Sequence, residues 1–394
     1  MRQPAMPIRS PFESSIAKPG QGNVVLSLLP PNNPTLTTLT YKYPLKLVPR
    51  APGFVPTPDP ATLSDKCPSR PVHLYLLTYG GGLLPGDHIE VSIKLDPRTR
   101  MVVTTPQGST KIFKTDPSTE SSFNVIKGHR KKMPANEHLS DMSQQSLDVK
   151  IGRQAALCYL PDPSVPYKNS RYAQVQTFTV DAAAKGEQRS SLCVLDWVTQ
   201  GRTSRGENWN FRFWKGRNEV WATDEKTGKS RLLLRDSVIL DDESEALDDS
   251  DEDMEEGVET GLNSHSGRAE TPPPQAGLVP LNIIQERTRP HGVVGTLILS
   301  GPVFDSLGAY LMHQFTSQPR IGSRNWSSTS SSAPEPSLST KGDVTWTAAR
   351  VRAGFVLVKF GAKDFETAKD WLGGLLREEG SIVREFGEEA LFCL

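Results

Sequence analysis

Apolar residues in this chain come in short runs separated by glycine, proline and aspartate, and few of the runs carry a helical period. Residues 23–50 alternate in short apolar pieces that end in YKYPLKLVPR, and a proline-rich stretch, residues 51–70, follows. From Val72 onward VHLYLLTY, HIEVSIKL, MVVTTP and STKIFKT are rich in β-branched and aromatic residues at strand length, which predicts an antiparallel β region. Residues 128–147 are polar without a period and predict a loop. Five further strand segments are expected in VKIGRQAALCYL, RYAQVQTFTV, SSLCVLDWVT, NWNFRFWKGRNEVWAT and SRLLLRDSVIL. Strands at such short spacing predict an all-β layered or barrel-like architecture rather than alternating β-α units.

Helical spacing enters late. Phe304, Leu307, Leu311 and Phe315 fall on one helical face, and so do Phe365, Ala368, Trp371, Leu372 and Leu375 in DFETAKDWLGGLLREEGSIV, giving about two helices near the C-terminus. TWTAARVRAGFVLVKFGAKD between them reads as strand. One domain over residues 23–394 is expected, with a flexible segment 1–22, an acidic insertion 241–277 and a Ser/Pro-rich insertion 318–342. Both insertions are too polar to offset their ordering entropy by burial and are expected to be disordered.

Charge narrows the function classes. Across 394 residues, 45 Lys and Arg balance 45 Asp and Glu, so nothing favours a nucleic-acid polyanion, and no apolar run reaches membrane-helix length. The N-terminus lacks the apolar core of a secretion signal, so a cytosolic protein is expected. Cys67, Cys158, Cys193 and Cys393 lie far apart without a CxxC pair, which predicts reduced thiols rather than disulfides or structural zinc. The 7 histidines form no metal-binding motif, and no G-x-S-x-G elbow is present.

The glycine cluster in LLTYGGGLLPGDHIEVSIKL invites a phosphate-binding reading and fails it. Gly86 is followed by Asp87 and His88 where a P-loop needs Lys and then Ser or Thr, and TGKS at 227–230 lacks its upstream glycine. Gly80, Gly81 and Gly82 instead suit a tight crossing between sheet layers, with Pro85, Gly86 and Asp87 as the next turn. In QGRTSRGENWNFRFWKGRNEVW, Trp209, Phe211 and Phe213 have a strand period of two and predict core, with Arg202 and Arg205 free to pair with Glu207 or meet a partner. Asp87 and Glu207, each in a glycine-containing turn beside a strand, are the carboxylates best placed to face a cavity or a partner.

In order along the chain, YPLKLVPR, the GG-x-x-x-GD segment at 81–87, the TTP-x-x-x-TK segment at 104–111, CYLPDPSVPYKNSRYAQ and the GR-x-x-x-GE segment at 201–207 resemble the urease accessory protein D family (UreD or UreH), of the fungal type. The resemblance spans residues 41–222. It implies layered, helix-like β-sheets with two helices, and a non-catalytic chaperone that binds the urease apoprotein and acts with accessory proteins F and G in delivering nickel to the urease active site. GTP hydrolysis then belongs to a partner, nickel is transient cargo and no cofactor is tightly bound. Carried over residue by residue, the motifs fall on Gly81, Gly82, Gly86 and Asp87; on Thr104, Thr105, Pro106, Thr110 and Lys111; and on Gly201, Arg202, Gly206 and Glu207. Asp87 and Glu207 are expected on the nickel route, as transient oxygen ligands. The glycines and Arg202 are expected to shape the partner surface. An acid–base enzyme using Asp87, Glu207 and a histidine is the alternative.

Overall fold

The strand runs between the glycine and proline corners wind into coils. The computed structural model describes residues 18–50, 69–105, 110–113, 142–182, 184–224, 227–242, 282–318 and 343–394. Two antiparallel pairs open the chain: β1 (Gln21–Leu29) with β2 (Asn33–Tyr41), and β3 (Leu45–Arg50) with β4 (Val72–Thr78). From β4 each coil runs along one large sheet, through a short strand at a corner, and back along the other sheet. The first coil is β4, β5 (Gly82–Leu83) and β6 (His88–Leu95). The second is β7 (Arg100–Thr104), β8 (Thr110–Ile112) and β9 (Ser143–Ile151). The third is β10 (Ala156–Tyr159), β11 (Ser164–Pro166) and β12 (Arg171–Asp181). The fourth is β13 (Ser191–Thr199), a turn, and β14 (Phe213–Thr223), after which β15 (Ser230–Asp241) doubles back.

The remaining chain supplies a lid of helices. It contains α1 (Ile283–Thr288), β16 (Val293–Ser300), α2 (Asp305–Thr316), β17 (Val344–Arg350), β18 (Val356–Ala362), α3 (Phe365–Glu379) and α4 (Ser381–Phe386). The first sheet has the order β15-β14-β12-β9-β6-β1-β2, and the second has the main order β17-β18-β16-β13-β10-β7-β4-β3, with β5, β8 and β11 as a side branch. An all-β fold of layered, coiled sheets with a few late helices is therefore what the sequence builds.

Successive coils stack in parallel, β4 on β7 on β10 on β13 and β6 on β9 on β12 on β14. This overturns the antiparallel reading of residues 72–115. Strand composition does not encode direction; direction here follows from the two corners per coil, which return each strand to its starting side. The polar reading of 128–147 also fails at its end, because Ser143–Leu147 belong to β9 and alternate buried and half-buried. Residues 345–364 form a hairpin, β17 with β18, turning at Arg352–Gly354. The segment read as one helix at 364–383 breaks at Gly380, whose φ of 78° ends α3 and starts α4. The segment expected to be flexible, 1–22, and the two insertions, 241–277 and 318–342, lie outside the described residues except at their edges, where Gln21 opens β1 and Asp241 closes β15.

Two cores result. Ile89, Val91, Ile93 and Leu95 of β6 meet Leu74 and Leu76 of β4 and Leu192, Val194 and Val198 of β13 between the sheets. Cys193, Leu195 and Trp197, the alternate residues of β13, point the other way into a second core with Leu307 and Leu311 of α2 and Ala368, Leu372 and Leu376 of α3. α3 is set by its ends as well as by this apolar stripe, since the Asp364 carboxylate accepts the Thr367 N–H at 2.8 Å as an N-cap. Cys158, Cys193 and Cys393 are buried free thiols, while Cys67 lies outside the described residues.

Candidate functional site

The three glycine-bearing motifs fall at the same corner of the stack. β5 pairs with β8 through Gly82 and Lys111, and β8 pairs with β11 through Lys111 and Val165. The fourth coil places its turn on the same corner, where a Cβ on Gly201 would stand 2.9 Å from the Pro166 carbonyl oxygen. Segments 120 residues apart in sequence thus become neighbours through coil stacking alone.

A ladder of side chains joins them. Gly82 is extended, with φ −179°, so its need is space rather than conformation: a Cβ would lie 2.5 Å from both the Lys111 carbonyl oxygen and the Phe113 ring. Phe113 meets Tyr167 edge-on, with centroids 5.1 Å apart. Over the Tyr167 ring, at 3.6 Å, lies the Arg202 guanidinium. Arg202 in turn is forked onto Glu207, which accepts Nε at 3.1 Å on Oε1, a second bond from Nη2 on that same oxygen, and the Arg202 backbone N–H at 2.9 Å on Oε2. Gly82, Phe113, Tyr167, Arg202 and Glu207 therefore form one continuous line across the coils.

The remaining motif residues serve the corner in separate ways. Gly81 and Gly86 have φ of 73° and 81°, and Gly201 and Gly206 have 103° and 72°, which glycine alone adopts without strain. The Asp87 carboxylate accepts the Leu84 N–H at 2.8 Å and closes its own turn, while its carbonyl accepts the Gln144 N–H of the next coil. Thr104 is buried in β7, and the Thr105 hydroxyl accepts the Asp162 N–H at 2.7 Å, tying the second corner to the third. Lys111 contributes its backbone to β8; Pro106 lies outside the described residues, as does the side chain of Thr110.

Electrostatics set Glu207 apart. Burial pushes its carboxyl upward, but hydrogen bonds from the Arg202 side chain and backbone and from the Lys168 backbone, with the Arg202 charge, outweigh that and hold it below the usual carboxylate range. The same pairing raises Arg202. A carboxylate so stabilised is a poor general base, and Asp87 is occupied by its turn. Arg205 points to solvent, so of the two arginines it is Arg202 that pairs with Glu207. Among the described residues no group of three or more His, Cys, Asp or Glu side chains is gathered to hold a metal.

Several residues of the structure carry little signal in the sequence. Phe113 and Tyr167 follow two successive short strands at matching positions, and that recurrence was the available signal. Trp209 and Phe211 are core as expected but precede β14, Trp209 with φ 58°, and the strand's buried aromatic is Trp214 rather than Phe213. Asp196, a carboxylate in the otherwise apolar run SLCVLDWV, crosses between the sheets to accept Gln174 Nε2 at 2.5 Å and Asn218 Nδ2 at 2.7 Å. Burial raises its pKa to about 6 against those two bonds. TGKS is the end of the β14–β15 hairpin, with Asp224 N–H bonded to the Lys229 carbonyl at 3.0 Å.

Comparison with known proteins bears on the whole stack of coils. Residues 20–256 match the profile of the UreD urease accessory protein family, which takes in all four coils. The chain belongs to that family. It is 27% identical to urease accessory protein 4 of Cryptococcus neoformans over 75% of this chain and 74% of that one. Identity to a UreD-like urease accessory protein of Schizosaccharomyces pombe is 26% over 88% of this chain and 90% of the other. Urease accessory protein D of Arabidopsis thaliana is 30% identical over 53% of this chain and 56% of its own length. As a UreD family member, this chain carries its GG-x-x-x-GD, TTP-x-x-x-TK and GR-x-x-x-GE segments on a single edge. No helix among the described residues is long and apolar enough to cross a membrane.

Proposed function

We propose that this UreD family chain is a non-catalytic scaffold of urease maturation, acting in the cytosol with the urease apoprotein and accessory proteins F and G while nickel enters the urease active site. The observation that carries this reading is the shared corner. Three separated motifs build one rigid line from Gly82 to Glu207 whose carboxylates are already satisfied, which suits a surface shaped for a partner rather than acid–base turnover. Nickel is cargo in this scheme, passed between partners through transient oxygen donors; Asp87 and Glu207 join that route only on letting go of the Leu84 N–H and of Arg202, and a closed Cys and His cage would hold nickel too firmly for release. GTP hydrolysis lies with a partner.

Co-expression of the chain with its host's urease and accessory proteins F and G tests the proposal. Urease activity and co-purification should both require residues 41–222, and Arg202→Ala should lower activation at unchanged soluble yield. Normal urease maturation without the segment would return the acid–base alternative to the front.

A further inference from the structure

The helical lid over the second sheet stops short of its end. His73, Tyr75 and Leu77 share one face of β4, since strand side chains alternate. His73 is 1% exposed, and its Nε2 lies 2.9 Å from the Phe386 carbonyl of α4. Beyond it, among the described residues, no helix follows. Tyr75 and Leu77 are half-buried and belong to neither core, with Val48 and Lys46 of β3 directly opposite. The strip continues past the strand ends to Tyr79 and Tyr43, 46% and 67% exposed, with rings 5.6 Å apart and the Tyr79 N–H bonded to the Pro44 carbonyl at 2.8 Å.

Two cations, Lys46 and Arg50, flank this strip. Lys46 Nζ stands 5.6 Å from the centre of the Tyr79 ring, and Arg50 lies 5.2 Å from the Phe392 ring with Nη1 2.6 Å from the Tyr75 hydroxyl. Among the described residues no carboxylate forms an ion pair with Lys46 or Arg50; Glu389 acts on Arg50 only through its charge. An aromatic strip flanked by cations without carboxylate partners is complementary to an apolar stripe edged by carboxylates.

We propose that this outward face of β3 and β4 docks an amphipathic, acidic-rimmed helix of a partner protein, which extends the helical lid to the sheet's end. The choice of candidate partners rests on the accessory reading above; the surface does not. The six residues of β3 span about 20 Å at strand rise, a length matched by roughly 13 helical residues. Addition of a strand to the edge is disfavoured because β3 carries Pro49, which has no N–H to give. A second copy of the chain would set Lys46 and Arg50 against like charges across a two-fold axis.

The test places a photo-reactive benzophenone side chain at position 77 or 79, with position 239 on the opposite sheet edge as control, in the full chain co-expressed with urease and accessory proteins F and G. Positions 77 and 79 should cross-link to one partner, at a peptide with helical apolar spacing and several Asp or Glu residues. The product should fall at least tenfold in the double variant K46E/R50E, whose thermal midpoint should stay within about 2 °C of the parent, since both side chains lie at the surface. Cross-links to residues 51–68 of the same chain or to a second copy, a strand or loop as the captured peptide, the same product from position 239, or no product at all would each overturn the proposal. Urease activation by the unaltered chain is scored separately. Its loss speaks against the accessory reading, whereas the cross-link alone decides the surface.

Discussion

The two large sheets share the same coils yet bury their residues differently. On the first sheet β6 alternates exposed and buried at every position, one face in the core and one in water. On the second, β7, β10 and β13 are buried at every position, because the coil interior takes one face and the helices α2 to α4 the other. Two-faced burial explains why β13 carries SLCVLDWVT, nearly continuous in apolar residues, while β6 carries the alternating HIEVSIKL. One chain thus holds both kinds of strand, and the difference lies in what covers the outer face.

The contrast should appear most strongly at β13. Leu195→Ala, which removes a side chain facing the helices, is expected to cost about 2–5 kcal/mol, whereas Ser92→Ala on the outer face of β6 should stay within about 0.5 kcal/mol; urea midpoints at constant slope decide this. Equal effects would mean that the helices add little to the second sheet.

Next in size is the polar tie between the sheets. The raised pKa of Asp196, about 6 when folded, means that the folded state binds more protons than the unfolded one between pH 4 and 6. Stability contributed by this group is therefore greatest below pH 4 and declines as pH climbs through 6, by about 3 kcal/mol in all. Asp196→Asn should flatten that part of the stability–pH curve, and an unchanged slope would remove the buried carboxylate as its cause. Glu207 has the opposite sign: its lowered pKa contributes stability above the unfolded carboxylate range that is lost as pH falls through the folded value.

A smaller effect is expected at the corner. Gly82→Ala sets a methyl against the Lys111 carbonyl and the Phe113 ring, at about 1–3 kcal/mol. Its distinguishing sign should be loss of the Tyr167 and Arg202 arrangement, read as altered near-ultraviolet circular dichroism. Smallest of all, replacing residues 243–281 by a short Gly-Ser linker should shift stability by less than about 1 kcal/mol, because the flanking Asp242 and Asn282 are hydrogen-bonded at 3.0 Å.

How much of this could be read beforehand follows from what each kind of pattern records. Strand positions were legible because β-branched runs between glycines and prolines mark local conformation, and the faces of α2 and α3 were legible from a period of 3.6. The parallel stacking was not, since pairing direction depends on partners far away in sequence. For the site, Arg202 with Glu207 was readable from their closeness within a turn. The line through Phe113 and Tyr167 was hidden until the coils were superposed, because neither aromatic is near Arg202 in the chain. Asp87 and Glu207 looked alike as turn carboxylates, but one closes a tight turn and the other neutralises a guanidinium.

The ends of the two main strand orders, β2 and β15 on one sheet and β3 and β17 on the other, are antiparallel to their neighbours. A stack of parallel coils has no intrinsic length, since its last rung offers the next one the same template. Here β3, β16 and β15 close β4, β13 and β14 in the wrong direction for another rung, and on β6 one more parallel strand, β1, is added before the antiparallel β2 closes the row, so the fold counts its own turns. Sequence can lengthen the loops at the corners freely, but adding a fifth rung would mean displacing a closing strand.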